Sequence, residues 1–457
     1  MQATLLGHAC WLIEAGGARL LTDPVFSDPF EEGTVTACPS RAIHPERLPP
    51  LDALFISHRH LDHFHLPTLA SLPHTLPVFC PDDPLLIGAM EAIGFTNFER
   101  LSPFSRHRLG GAELIAIPGV SDTFAEYGLA IVSEGGVLVN QVDTPMTGAT
   151  IDRLRSLLGR PVDVHVAMFA CQDFTYFEGK KRDLAELHAT NLSATARLGA
   201  QVVVPGAAGF RFVDALGWLN SHLFPISAAR FAQDLARLGT GQQPMLLSPG
   251  DQLVVEPDTI RVARQASPLA ETLADDTHLI AHNPTAAVPA LTDDNEHGYP
   301  EGFLSRFVQS YVGQVMPSLI GQLGPSDPVI AAYCKHKVVY RLDVVFPSGD
   351  SSAWLFRFDG PAPVIEVDTG TVEAQVRKQI AASALADVCG GRRGCFWMRT
   401  RARRSSAVFA LQAVQGGLMV EEVELRDLLT HLILVALVAQ RGEQSALKSF
   451  YGLQGGA

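Results

Sequence analysis

The chain has 457 residues, of which 47% are hydrophobic and 18% charged. That length and composition suit two or three folded domains and exclude a disordered or low-complexity chain. A formal net charge of −13 excludes a nucleic-acid surface, because phosphate binding needs clustered cations, and the one basic run, Arg399–Arg404, is short.

In chain order, brief apolar or β-branched runs predict strands at Thr4–Leu6, Cys10–Glu14, Arg19–Thr22, Leu54–Ser57, Val78–Cys80, Glu113–Ile117, Leu129–Ser133 and Val137–Gln141. Helical spacing predicts helices at Pro67–Ser71, Pro84–Ile93, Ala149–Leu158 and Arg182–Leu198, with Val202–Pro205 returning to strand. Strands alternating with helices predict a layered α/β fold. Ala, Pro, Thr and Asp accumulate without period around Arg264–Asp294, so a linker is expected over 263–300. It divides a metal-binding domain over 1–262 from a smaller α+β domain over 301–457. In the latter, Val338–Phe346 and Trp354–Phe358 read as strands, and Val372–Leu385 and Val423–Gln440 as helices. Met1–Gly7 carries no cationic leader, and the apolar run Leu432–Ala439 is too short to cross a bilayer. The seven cysteines form no Cys-x-x-Cys pair, so a reduced, cytoplasmic protein without membrane contact is expected.

The densest chemistry is His58-Arg59-His60-Leu61-Asp62-His63, which follows the apolar run Ala53–Ser57. Three imidazoles and a carboxylate at a strand end can turn toward one point. His58 and His60 share a face and can grip one ion, while Asp62 and His63 face a second. Asp143 also ends an apolar run, and its two oxygens can bridge two ions. The bland alternative for Asp143 is a turn or cap residue.

Gly7-His8-Ala9, Leu21-Thr22-Asp23-Pro24-Val25, the His-x-His-x-Asp-His element and Val142-Asp143-Thr144 together resemble the metallo-β-lactamase superfamily, over approximately residues 1–255. The first two are similar to its lactonase and N-acyl phosphatidylethanolamine phospholipase D branch. The resemblance implies a metallo-β-lactamase-like αββα sandwich, with the α+β domain following it, and a bracing role for His8 and Asp23. Hydrolases of that fold place a histidine after the strand that here reads Leu114–Pro118, and another after Val202–Pro205. Here Gly119–Glu126 and Gly206–Gly209 contain none. Glu126 is the best replacement and Asp122 the second, which makes Glu126 and Asp143 the candidate catalytic ligands.

From Asp52 to about Leu253 the chain also looks like the catalytic part of the CMP-N-acetylneuraminate hydroxylase family. His58, His60, Asp62, His63, Glu126 and the Val142-Asp143 pair match that family's motifs, and Gln172-Asp173-Phe174 resembles its Ser-Asp-Phe segment. The likeness implies two iron ions, with zinc or manganese as alternatives, and an oxygenase hydroxylating a small organic substrate. That family's Rieske module needs a Cys-x-His and a Cys-x-x-His pair, whereas only Cys334-Lys335-His336 is present. Electrons are therefore expected from a separate ferredoxin or reductase. A lactonase- or phosphodiesterase-like hydrolase is the alternative, and a homo-oligomer is allowed. Asp173 is expected to touch a ligand or the substrate; Phe174 and Tyr176 are expected either in a pocket wall or in plain core.

Overall fold

The computed structural model describes residues 1–121, 124–179, 183–256, 259–360, 363–367, 372–414 and 417–453. These fall into two compact units. One holds Met1–Gln172 and Asp183–Ala287; the other takes the short segment that begins at Asp173 and the chain from Val288 onward.

Alternation within apolar strands builds the first unit. Leu114 and Ala116 point into a core shared with Trp11, Ile13, Leu129 and Val166, while Ile115 and Ile117 face the other way. Strands apolar on both faces must be covered on both. One sheet runs Thr259–Ala263, Gln252–Glu256, Gln2–Gly7, Cys10–Ala15, Ala18–Thr22, Ala53–Phe55, Val78–Pro81, Phe98–Leu101. The second runs Gln243–Pro244, Val202–Gly206, Val164–Met168, Gly136–Asn140, Tyr127–Ser133, Ala112–Pro118, Arg106–Leu109. Helices Gly148–Leu158, Leu184–Leu198 and Ala228–Arg237 cover the outer face of the second sheet through Ile151, Leu192 and Phe231. Thr147, Asp183 and Ser227 cap them by accepting from Thr150 N, Glu186 N and Arg230 N.

Ala18–Thr22, Ala53–Phe55, Val78–Pro81 and Phe98–Leu101 pair in parallel. The last two steps cross over through helices Leu66–Ala70 and Pro84–Ala92. The result is an αββα sandwich. Its parallel strands end at one edge, and the Gly7–Cys10 turn and the start of Tyr127–Ser133 arrive at the same edge. A bond from Tyr127 N to Ser57 O (3.1 Å) ties the two sheets there.

The stretch expected as a linker is partly regular. Ala270–Ala274 pairs antiparallel with Ser40–Ile43, and Asp276 accepts from Ser40 N at 2.9 Å and Arg211 Nε at 2.7 Å. Backbone pairing with a distant edge carries no periodic signal in composition.

The second unit centres on a sheet in the order Val364–Val367, Ser351–Arg357, Val339–Val345, Val376–Ala381, Ala402–Ser406. Val372–Leu385, expected as one helix, is instead the strand Val376–Ala381 followed by helix Ala382–Cys389. Val376, Lys378 and Ile380 are buried on one face of that strand while Arg377 is exposed, a period of two hidden by the charged residues. The helix expected from Val423 starts at Leu428, because Asp427 before it is turned to the buried Lys378. Lys378 is 1% exposed and bonds Asp427, while burial opposes the Asp427 charge and Lys378 and Arg404 outweigh that, holding its carboxyl below the usual range. Among the described residues no helix is long and apolar enough to cross a membrane.

Removing one partner of a buried pair strands the other charge. Asp427→Ala is therefore expected to destabilise the protein by about 3–5 kcal/mol, seen as a lower denaturation midpoint; an unchanged midpoint would show that Lys378 finds another partner.

Candidate metal centre

The strand Ala18–Thr22 delivers Asp23 beside Ala53–Phe55, with Asp23 N donating to Phe55 O at 2.9 Å. Asp23 is fully buried, and its carboxylate is saturated by neighbours. Oδ1 accepts from Ser57 N at 2.8 Å, and Oδ2 accepts from Ser57 Oγ at 2.7 Å and lies 2.9 Å from His63 Nδ1. Ser57 Oγ also sits 2.9 Å from His58 Nδ1. With both Nδ1 atoms placed on oxygen, the Nε2 atoms of His58 and His63 are turned toward the other donors, the orientation metal-ligating histidines use.

Two groups of donors converge there. His8, Asp62 and His63 form one; His58, His63 and Asp143 form the other, and within each the donor atoms lie within 4.8 Å of one another. His63 Nε2 is 3.3 Å from Asp143 Oδ2 and 3.6 Å from Asp62 Oδ2. His8 Nε2 is 3.2 Å from Asp62 Oδ2. Yet His8 Nδ1, His8 Nε2 and His63 Nε2 are buried with no hydrogen-bond partner, so these approaches are too poorly aligned to satisfy them. Buried nitrogens left unpaired against carboxylates fit a cation between them. The donor set suits a metal.

His60 stands beside the second group, with Nδ1 2.9 Å from His58 Nε2, a separation at which two ring nitrogens share a proton or an ion. The Phe124 ring stacks on the buried His58 at 5.9 Å and meets the exposed His60 edge-on at 5.0 Å. Arg59 turns away to Asp83 at 2.6 Å. Glu126 lies in neither group. Its carboxyl packs over Gly119, where an added Cβ would come within 2.5 Å of both Cγ and Oε1. Only glycine leaves that room.

The electrostatics follow from burial. Burial drives His58 well below the ordinary histidine range, helped by His63 and His60. It also lowers His60. For His63 burial opposes the charge, but the carboxylates of Asp62 and Asp143 outweigh it and push its pKa well above the ordinary histidine range. Burial likewise opposes the Asp62 charge, and His63 and His8 overcome it. Glu126 is pushed up to about 7 by burial and then by Asp143, with His63 opposing.

From sequence, His8 is a brace; in space its Nε2 meets Asp62 as directly as His63 does. The place of the second missing histidine is filled by a close approach: a Cβ on Gly209 would stand 3.1 Å from His8 N, and the Phe210 ring meets His8 edge-on at 5.5 Å. Asp173, Phe174 and Tyr176 fold with the second unit. Asp173 Oδ1 accepts from Thr175 N at 2.9 Å and from Thr175 Oγ1, which closes the first turn of the short helix Thr175–Glu178, and Phe174 packs on Phe177 at 5.9 Å. Oδ1 of Asp173 is thus used in a local bond to Thr175. Asp122 lies outside the described residues. Sequence reading passed over Ser57, Gly119 and Glu31; a serine directly before His58 was the one visible sign. Glu31 is buried, and burial, then Asp62, raises its carboxyl well above the usual range.

Residues 2–125 match the Beta-lactamase superfamily domain. A 4-amino-L-phenylalanyl-[CmlP-peptidyl-carrier-protein] 3-hydroxylase of Streptomyces venezuelae is 32% identical over 121 residues, 25% of this chain and 22% of that protein. The cytidine monophosphate-N-acetylneuraminic acid hydroxylase of Cricetulus griseus is 34% identical over 101 residues, 22% of this chain and 17% of that one. The matched part thus spans under a quarter of either relative. Among solved structures, CmlA, a diiron beta-hydroxylase from Streptomyces venezuelae, aligns with TM-score 0.40 and 17% identity over 57% of this chain and 54% of that one. The isothiocyanate hydrolase from Delia radicum gut bacteria aligns with TM-score 0.40 and 14% identity over 56% and 99%.

Outer partners of metal-bound histidines typically carry a 10–100-fold effect on affinity. Asp23→Ala is accordingly expected to weaken metal binding about 10–100-fold in a chelator-competition titration, and wild-type affinity would show that Asp23 serves only folding. Metal binding also needs neutral imidazoles and ionised carboxylates. Glu126, raised to about 7, is largely protonated at pH 6 and ionised at pH 8. Metal loading should release more protons at pH 6 than at pH 8, read by calorimetry in buffers of differing ionisation enthalpy. Glu126→Gln is expected to flatten that difference.

Proposed function

We propose that this chain is a dinuclear non-haem iron oxygenase that hydroxylates a small organic substrate with O₂, drawing electrons from a separate ferredoxin or reductase. One observation carries the reading. At the edge where related hydrolases put a third histidine, this chain turns the carboxyl of Glu126 over Gly119 into the field of Asp143 and His63. Carboxylates at this density shift the preference from zinc toward iron or manganese. The matches to two hydroxylases over part of the chain support it.

The chain's own residues divide the work. His58, His60 and Glu126 would hold one ion, Asp62 and His63 the other, and Asp143 both. A pair of iron ions, when bound, supplies the reduction of O₂. In the overall balance one oxygen atom enters a C–H bond of the substrate and the other leaves as water, with two electrons from the donor protein and two protons. Asp23 and Ser57 keep the ligand nitrogens of His58 and His63 aimed at the centre. Phe124 packs against the His58 and His60 rings.

Protein purified without chelators and loaded anaerobically with Fe(II) should bind about two ions per chain and change its visible absorption on exposure to oxygen. Stoichiometric zinc, no bound iron and turnover of chromogenic esters or phosphodiesters would establish a hydrolase instead. Gly119→Ala is expected to displace the Glu126 carboxyl and to weaken iron binding while leaving the fold intact by circular dichroism.

A further inference from the structure

The turn that carries Asp143 is strained and doubly closed. Val142, at its second position, is buried with φ 54°. A β-branched residue keeps that left-handed backbone only where its surroundings enforce it. Thr144 N donates to Gln141 O at 3.2 Å, and Gln141 Nε2 donates in return to Thr144 O at 2.9 Å. Gln141 and Thr144 are both buried. One residue thus grips the far end of the turn through its backbone and its side chain together.

The other end of the same amide reaches the neighbouring strand. Gln141 Oε1 accepts from Met168 N at 3.3 Å and lies 2.9 Å from His165 Nε2. Met168 N can only donate and Thr144 O can only accept, so one orientation of the amide satisfies both. His165 must then donate through Nε2, which leaves Nδ1 bare, and Nδ1 is buried with no hydrogen-bond partner. Burial pushes the His165 pKa down to about 3, which keeps the ring neutral. From the opposite side the strand Tyr127–Ser133 presses on the same backbone: a Cβ on Gly128 would stand 2.9 Å from Asn140 O and 3.0 Å from Gln141 O.

None of these bonds involves the Asp143 side chain. That carboxylate is 36% exposed and meets His63 Nε2 at 3.3 Å. With so little packing around it, its direction is set by the turn from which it leaves.

We propose that Gln141 is a positioning residue for Asp143: its amide, oriented by His165, holds the turn that sends the Asp143 carboxylate to His63. The proposal rests on the reading of Asp143 as a metal ligand and deepens it. It also accounts for a buried amide and imidazole at a strand end, where each polar group must find a partner or cost stability.

Co(II) alone is the probe, because its visible spectrum reports ligand geometry without turnover. The wild-type chain should take two Co(II) ions. Gln141→Met keeps the length of the side chain and loses every bond of the amide. It should bind Co(II) at least about tenfold more weakly, with a spectrum moved toward that of Asp143→Ala. His165→Phe removes only the brace and should move the spectrum the same way, by less. A merely structural role would lower the denaturation midpoint of Gln141→Met and leave affinity and spectrum at wild type, and that result overturns the proposal. Should Gln141→Met fail to fold by circular dichroism, His165→Phe decides: an unchanged spectrum overturns it. Wild-type protein that takes a single Co(II), bound more weakly by Gln141→Met, sinks the two-ion reading and supports the role of Gln141. Wild-type protein that binds no Co(II) overturns both.

Discussion

The centre depends on one saturated carboxylate. Asp23, fully buried at the end of its strand, accepts from the backbone and hydroxyl of Ser57 and faces His63 Nδ1. Those contacts join two neighbouring parallel strands and settle the orientation of two imidazoles together. A buried carboxylate is costly unless its lone pairs are used, and here the partners that use them are the supports of the ligand rings. Stability and function therefore draw on the same hydrogen bonds.

Space near the ligands is allocated by small residues. Gly119 leaves the gap that the Glu126 carboxyl occupies, and Gly209 lets a backbone lie against His8. At both places close packing around a glycine takes the room that a side chain would fill. The loop through Glu31 is held by the buried Arg41 and by Asp28 rather than by regular structure.

The second unit uses buried charge differently. Lys378, Asp427 and Arg404 compensate each other beneath a helix whose start they displace, with Tyr333 and Tyr340 packed among them. Asp427 thus offsets buried cations beneath an otherwise apolar core.

The sandwich and the His58–His63 element were legible from sequence because strand period and ligand spacing are local properties. Thr22-Asp23, the apolar run before Ser57 and the run before Asp143 each announced a strand ending on chemistry. Local reading failed where pairing was distant or charge masked period: Ala270–Ala274 was taken for linker, and Val376–Ala381 for helix. Asp173 looked like its neighbours in pattern, but its carboxyl is used within two residues of itself. Sequence by itself determined which residues carry donor chemistry at strand ends; tertiary structure decided which of them converge, His8 with Asp62 and His63, and His58 with His63 and Asp143, because that depends on strand ends brought together from opposite sheets.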